Sequence, residues 1–191
     1  MKLIGSSTSP YVRRIRLLLG GSDYEFASLD IYGADRDELR RHNPALKIPM
    51  LIDEQQSVYD SRVIARYLSP KMGFTELSWA QENQLTLIDA ANDSMVTIAL
   101  SKKSGLATDS DIMFYGLQHE RIERSIDALS AMAAEGVFDA WHYPSICLYC
   151  LIDWAELRQL FDFSGHAPLL ELKARFKDKP MVAETDPRQA G

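Results

Sequence analysis

The stretch "KLIGSSTSPYVRRIRLLLGG", residues 2–21, joins a short apolar run, four hydroxyl-bearing residues, a proline and an amphipathic segment that two glycines close. Its apolar residues after the proline recur at helical spacing, at Val12, Ile15, Leu18 and Leu19. Serine is favoured as the residue that caps a helix, and proline is favoured at the first helical position. The stretch therefore predicts a strand, a turn and a helix that begins at Ser9 and Pro10.

Shorter segments of alternating type follow as far as about residue 69. "YEFASLDI" (24–31) predicts a strand, and "DRDELRRH" (35–42) predicts an exposed helix. "IPMLIDEQQSVY" (48–59) predicts a pair of strands, and "SRVIARYL" (61–68) predicts a second amphipathic helix. A helical connection makes the first two strands parallel, and a short turn makes the last two antiparallel. The order β-α-β-α-β-β-α predicts a small α/β domain.

From about Thr75 onward the pattern is helical almost throughout. We therefore expect an α/β domain over residues 1–70, a linker at about 70–75, and an all-α bundle over 76–191. In "HYPSICLYCLIDW", Ser145 is a candidate cap for a central, mostly apolar helix. The tail from Glu184 is expected to be frayed.

Composition excludes several classes of function. A net charge of −6 argues against nucleic-acid binding. No apolar run approaches the roughly 20 residues of a membrane span, so a cytoplasmic location and no membrane partner are expected. Cys147 and Cys150 are predicted to be reduced core thiols, because no second Cys/His pair completes a zinc site; we expect no metal.

Three features of the first domain could carry chemistry. Ser9 is predicted at a helix N-terminus, where free N–H groups and a partial positive charge stabilise an anion such as a thiolate. Serine at this place can also be a helix cap and nothing more. The turn itself therefore leaves both roles open.

The second feature is "LKIPML", residues 46–51, and the third is "DSRVI", residues 60–64. If the Ile48–Pro49 bond is cis, the backbone of Ile48 can pair with an extended peptide ligand; a plain edge proline is the alternative. Asp60 suits an ammonium group and Ser61 a carboxylate, although either can simply cap a helix. Together the three features suit a peptide-like anion.

In this order the motifs resemble those of the cytosolic glutathione transferases over nearly the whole chain. "SSTSPYVRR" resembles the serine-type turn of tau-class and many bacterial members, which suggests a tau- or nu-like protein. "NPALKIPML" and "YDSRVIARYL" resemble "NP..KVPVL" and "ESxAIxxYL", and "CLIDW" and "KDKPMVAETDP" resemble "YLDFR" and "RPSFxxTxP". The resemblance implies a thioredoxin-like first domain, an all-helical second domain and a homodimer.

The resemblance also implies roles for individual residues. Ser9 aligns with the serine that hydrogen-bonds the sulfur of glutathione, which serves as co-substrate without a tightly bound cofactor. Four residues would hold glutathione, namely Lys47, Ile48, Asp60 and Ser61. Tyr11 would line the pocket for a small electrophile, unless it is an aromatic residue without a catalytic task. The function implied is conjugation of glutathione, as in detoxification.

Alternatives stay open at this point. Some members of the family use an earlier serine, so Ser6, Ser7 or Thr8 could take the role of Ser9. Disulfide exchange is disfavoured, because Ser9 stands where a cysteine nucleophile would be needed. A non-catalytic protein of the same fold, acting in stress or regulation and binding glutathione or a protein partner, is the second hypothesis.

Overall fold

The computed structural model describes residues 1–189 and divides into two compact units. The first unit comprises residues 1–76 together with the segment from Lys177 onward, and the second comprises residues 77–176. Within residues 1–76 the first unit contains four strands and three α-helices: β1 (Lys2–Gly5), α1 (Pro10–Leu19), β2 (Glu25–Ser28), α2 (Arg36–His42), β3 (Met50–Asp53), β4 (Gln56–Tyr59) and α3 (Ser61–Lys71). A short 3-10 helix, Pro187–Gln189, lies in its later segment. The predicted β-α-β-α-β-β-α order is confirmed.

The four strands form one mixed sheet in the order β2-β1-β3-β4. β1 is parallel to β2, as the helical connection requires, whereas β3 is antiparallel to both β1 and β4. The central strands β1 and β3 are the most deeply buried, and Leu3 and Leu51, which face each other in the register, are fully buried. This is the thioredoxin-like architecture that the family resemblance implied.

Helix α1 packs unusually close to the end of β1. A Cβ atom on Gly5 would lie 2.4 Å from Cγ2 of Val12, a distance that real side chains do not tolerate. Val12 is fully buried, so it has no free space to move into. The absence of a side chain at Gly5 therefore fixes how closely the first turn of α1 approaches the sheet.

The second unit is helical, as predicted. Its helices are α4 (Trp79–Lys103), α5 (Met113–Ala134), α6 (Tyr143–Leu157) and α7 (Ala167–Phe176). α6 is buried along most of its length and forms the core of this unit. Cys147 and Cys150 lie on it, buried and outside any disulfide, which confirms the prediction of reduced core thiols. Within residues 1–189, no helix is both long enough and apolar enough to cross a membrane.

Two expected boundaries differ from the structure. Pro70 was expected in the linker, but α3 continues to Lys71, and the N–H of Met72 still donates to the carbonyl of Leu68 over 2.9 Å. The tail was expected to belong to the helical domain and to fray from Glu184. Instead the segment from Lys177 onward packs in the first unit, where Thr185 is 2% exposed. Ala190 and Gly191 lie outside the described residues.

The prediction that Ser145 caps α6 is wrong. His142 is the N-cap, and its Nδ1 accepts a hydrogen bond from the N–H of Ser145 over 3.3 Å. The hydroxyl of Ser145 lies 3.1 Å from the same nitrogen and donates to the carbonyl of Phe138 over 3.3 Å. Only an unprotonated Nδ1 can accept, and burial lowers the pKa of His142 below its ordinary value of 6.5.

This cap predicts acid sensitivity. As pH falls below 6.5, His142 of the unfolded chain takes up a proton before that of the folded protein, so the free energy of unfolding decreases. His142→Asn keeps a capping acceptor without a titrating group, and its stability should depend less on pH between 7 and 5. Urea unfolding at several pH values measures this. Equal pH dependence in the two proteins would contradict the role of His142.

The contact at Gly5 predicts that Gly5→Ala destabilises the protein by about 1–3 kcal/mol, the usual cost of overpacking a core. Gly21→Ala is the matched control, because a Cβ there meets nothing within 4 Å. Adding Val12→Ala to Gly5→Ala should restore part of the loss, since it vacates the space that the new methyl group needs. Urea unfolding of the four proteins tests this, and equal stability of Gly5→Ala and Gly21→Ala would refute it.

Candidate functional site

Met50 brings the three predicted features to one end of the sheet. It pairs with Ile4 of β1 on one side and with Tyr59 of β4 on the other. The chain that follows Ile4 leads to Ser9, the chain that precedes Met50 contains Ile48, and the chain that follows Tyr59 leads to Asp60. Neighbouring strands are about 4.8 Å apart, and β1 and β4 lie on either side of β3. The segments that lead to Ser9 and to Asp60 therefore leave the sheet about 10 Å from each other.

Ser9 caps α1, as the sequence predicted. The N–H of Val12 donates to Ser9 Oγ over 3.4 Å, and the N–H of Arg13 donates to the carbonyl oxygen of Ser9 over 3.0 Å. Pro10 occupies the first helical position, where its missing N–H costs nothing. The hydroxyl of Ser9 thus accepts a hydrogen bond from the helix, which leaves its own proton available to a ligand.

The neighbouring hydroxyl groups are arranged differently. Ser6 Oγ and Thr8 Oγ1 lie 3.2 Å apart and bond to each other, and the carbonyl of Ser6 accepts the N–H of Ser9 over 3.1 Å. These bonds close the turn between β1 and α1. Ser6, Ser7 and Thr8 are all half-buried, as Ser9 is, but Ser9 is the residue at the helix N-terminus.

The loop before β3 contains a buried residue to which sequence reasoning assigned no role. Asn43 Nδ2 donates to the carbonyl of Lys47 over 2.7 Å, and Asn43 Oδ1 accepts the N–H of Ala45 over 2.9 Å. Asn43 is buried, whereas the side chain of Lys47 is exposed. The amide of Asn43 therefore sets the course of the backbone that leads to Ile48. The signal in the sequence was asparagine directly before Pro44, at the end of a helix.

The Ile48–Pro49 peptide bond is cis in the structure, which is the conformation that the peptide-pairing hypothesis required. Pro49 is buried directly before β3, where a proline removes no hydrogen bond from the strand ladder. Ile48 is half-buried. The backbone of Ile48 lies two residues before Met50, so it is at the same end of the sheet as the segments that lead to Ser9 and Asp60.

Asp60, not Ser61, is the N-cap of α3. Its Oδ1 accepts the N–H groups of Arg62 and Val63 over 2.8 and 3.4 Å, while its side chain remains exposed. The φ angle of Asp60 is +72°, a conformation that is uncommon for residues other than glycine and that clusters at functional sites. Ser61 is the first residue of the helix and is buried. The site thus has a carboxylate and a second helix N-terminus side by side.

Tyr11 lies on the first turn of α1, two residues after Ser9. The guanidinium carbon of Arg14 lies 4.7 Å from the centre of its ring, and Arg14 is fully buried. A cation on one ring face restricts the ring's orientation. Tyr11 is half-buried and keeps part of its surface for contacts with a ligand.

The end of β3 opposite Met50 is fastened separately. Asp53 accepts hydrogen bonds from Lys71 Nζ over 2.6 Å and from the hydroxyl of Tyr67 over 3.0 Å. The bond to Lys71, followed by the one to Tyr67, lowers the pKa of Asp53, and the same ion pair raises the pKa of Lys71. This pair holds the last turns of α3 on the sheet. In the part of the chain that the structure describes, no group of His, Cys, Asp and Glu could hold a metal ion.

The two bonds of Asn43 predict a measurable cost on its removal. Asn43→Ala removes the partner of the Lys47 carbonyl and of the Ala45 N–H, and the loss of a typical hydrogen bond costs about 0.5–1.5 kcal/mol. We expect lower stability and faster amide exchange at Ala45. Asn83→Ala is the matched control, because Asn83 is an exposed asparagine near the start of α4. Unchanged exchange at Ala45 in Asn43→Ala would contradict this role.

Comparison with known proteins agrees with this geometry. Residues 3–73 match the family model of the glutathione S-transferase N-terminal domain. The chain is 27% identical over 208 residues, with 100% of both chains covered, to YibF of Escherichia coli, an uncharacterised GST-like protein. It is 35% identical over 71 residues to glutathione S-transferase U8 of Arabidopsis thaliana, covering 36% of this chain and 32% of that protein.

Solved structures share the fold over nearly the entire chain. A glutathione S-transferase of Methylobacterium radiotolerans, in complex with glutathione sulfonate, superposes with a TM-score of 0.84 at 22% identity, covering 97% of this chain and 94% of that one. A glutathione transferase family member of Pseudomonas fluorescens with bound glutathione superposes with a TM-score of 0.79 at 23% identity, covering 97% and 98%. The family match thus concerns residues 3–73, and the solved structures show that the chain shares their fold.

Proposed function

We propose that this protein is a glutathione transferase of the serine type, tau- or nu-like, that activates the thiol of glutathione for attack on a small electrophile. The observation that supports this best is the pairing of Met50 with both Ile4 and Tyr59. This pairing brings three parts to one end of the sheet. They are the N-terminus of α1 at Ser9, the backbone of Ile48 and the acidic N-cap Asp60. The solved relatives with bound glutathione or its sulfonate give further support.

In this proposal the hydroxyl of Ser9 donates a hydrogen bond to the sulfur of glutathione and stabilises its thiolate. Val12 already donates to Ser9 Oγ, so the hydroxyl is oriented and polarised before the ligand arrives. Lowering the pKa of a thiol from about 8.5 by about two units requires roughly 2.7 kcal/mol of preferential stabilisation of the thiolate. One charge-assisted hydrogen bond and the positive end of α1 supply an amount of this order.

The remaining contacts follow the peptide character of glutathione. An extended tripeptide spans about 10 Å, which matches the distance between the segments that leave β1 and β4. Ile48 would pair with the cysteinyl backbone, Asp60 would hold the ammonium group and Ser61 the carboxylate of the γ-glutamyl residue. Lys47, which is exposed, would reach the other carboxylate.

Catalysis then consists of forming and positioning the thiolate. The thiol proton leaves to solvent, the sulfur forms a bond to the electrophilic carbon, and the leaving group departs with the electron pair of the bond that breaks. Tyr11, held by Arg14, would line the pocket for the electrophile. The reaction needs glutathione as co-substrate and no further cofactor.

We further propose a cytoplasmic homodimer without nucleic-acid partners, acting in detoxification. β4 is an edge strand of the sheet, and a cavity of about 600 Å³ lies beside it between Gln56 and Tyr67. Val63, which lines this cavity, is 53% exposed, so apolar surface is accessible beside β4. A second copy that covers this face would bury it. Sedimentation of wild type and Val63→Glu tests the dimer.

Replacing Ser9 tests the proposed chemistry. Ser9→Ala should lower kcat/KM for conjugation of a general aryl halide by about tenfold or more, the value of one hydrogen bond to a charged group, and should shift the pH profile upward. Ser22→Ala, an exposed serine after α1, is the control. Equal rates for Ser9→Ala and wild type would disprove the role of Ser9. A loss in Ser6→Ala, Ser7→Ala or Thr8→Val instead would move the role to that residue.

A thermal shift separates binding from turnover. Glutathione at a hundredfold excess over its dissociation constant stabilises a protein by about 2.7 kcal/mol, so we expect the melting temperature to rise by several degrees. A shift without conjugation of any electrophile would favour the non-catalytic alternative. If millimolar glutathione produces no shift, the proposed site is wrong.

A further inference from the structure

Arg13 is a buried charge on the helix that carries Ser9. It is 4% exposed, and arginine stays protonated in proteins, so its guanidinium needs hydrogen-bond acceptors within the fold. Two of these acceptors lie far along the chain. Arg13 Nε donates to Thr185 Oγ1 over 3.2 Å, and an Nη group of Arg13 donates to the carbonyl of Val182 over 3.0 Å.

Hydrogen bonds within residues 181–185 hold these acceptors in place. The hydroxyl of Thr185 donates to the carbonyl of Met181 over 2.6 Å, which turns its lone pairs toward Arg13. The N–H of Thr185 donates to the same carbonyl over 3.0 Å, so the segment forms a closed turn. Val182, Thr185 and Pro187 are buried.

These three buried residues belong to "KDKPMVAETDP", residues 177–187, a motif that the proposed function leaves without a role. We propose that this motif is a positioning element for the active-site turn. It holds the guanidinium of Arg13 and thereby fixes the first turn of α1, on which Ser9 stands. The inference concerns the same site as the proposed function and rests on that function for its catalytic consequence.

The connection from Arg13 to Ser9 is short and direct. The N–H of Arg13 donates to the carbonyl of Ser9 over 3.0 Å, so the residue that anchors the C-terminal segment also forms the first backbone bond of α1. If Arg13 loses the Thr185 acceptor, its Nε–H lacks that hydrogen bond in a buried place, and this cost favours a shift of the guanidinium toward other acceptors. Such a movement pulls on the backbone bond to Ser9. Arg13 is therefore a positioning residue that acts through Ser9.

Thr185→Val tests this with a change of one hydroxyl to one methyl group. It removes the acceptor of Arg13 Nε and keeps the volume. We expect the exchange protection of the Val12 and Arg13 amides to fall about tenfold more than that of Leu51 in the sheet. Thr97→Val, which removes a hydroxyl bonded to the carbonyl of Asp93, is the matched control and should leave both amides unchanged.

The pairing itself is tested with Arg13→Met. If the two side chains act together, adding Thr185→Val to Arg13→Met should cause no further loss of protection at Val12. An equal fall of protection at Val12, Arg13 and Leu51 in Thr185→Val would mean that the hydroxyl contributes only to global stability. That result would overturn the proposal.

The catalytic consequence is measured on glutathione. In Thr185→Val, thiolate absorbance at varied pH should show the pKa of the bound thiol raised by about half a unit, which corresponds to about threefold. An unchanged thiol pKa in a variant with a loosened turn would also overturn the proposal. If wild type does not bind glutathione, the proposed function fails, whereas amide exchange still decides whether the motif positions Ser9.

Discussion

The pairing of Met50 with strands on both sides is the constraint on which the candidate site depends. β3 lies between β1 and β4, so the chain ends of three elements emerge at one end of the sheet. Because side chains on a strand alternate between faces, a slip of one residue in this register would turn the buried side chains outward. The register is thus held by the same apolar burial that stabilises the domain.

A second constraint is the distance between the first turn of α1 and the end of β1. Gly5 and Val12 bring α1 closer to β1 than any side chain at position 5 would allow. The first turn of α1 consequently lies close to the end of β1, the strand that pairs with β3 just after Ile48. Capping and anion stabilisation are compatible roles for Ser9, since its oxygen accepts the N–H of Val12 while its own proton can be donated to an anion at the positive end of the helix.

Local patterns were sufficient for most of the fold. Apolar spacing located α1 and α3, the helical crossover made β1 and β2 parallel, and Ser9 before Pro10 marked a helix start. The cap of α6 was harder to predict, because serine is a common N-cap residue and histidine is not, and here His142 rather than Ser145 is the cap. Asn43 lacked a predicted role because its two bonds depend on how the loop folds back on itself.

The sequence by itself determined the helices, the strands and the residue types that suit a peptide-like anion, because these follow from periodicity and capping over a few neighbouring residues. Only the tertiary structure decided that residues from Lys177 onward return to the first unit and that Thr185 meets Arg13, 172 positions away along the chain. The sequence contains both partners of that bond. No local rule pairs them, because a buried arginine finds its acceptors only after the chain has closed around it.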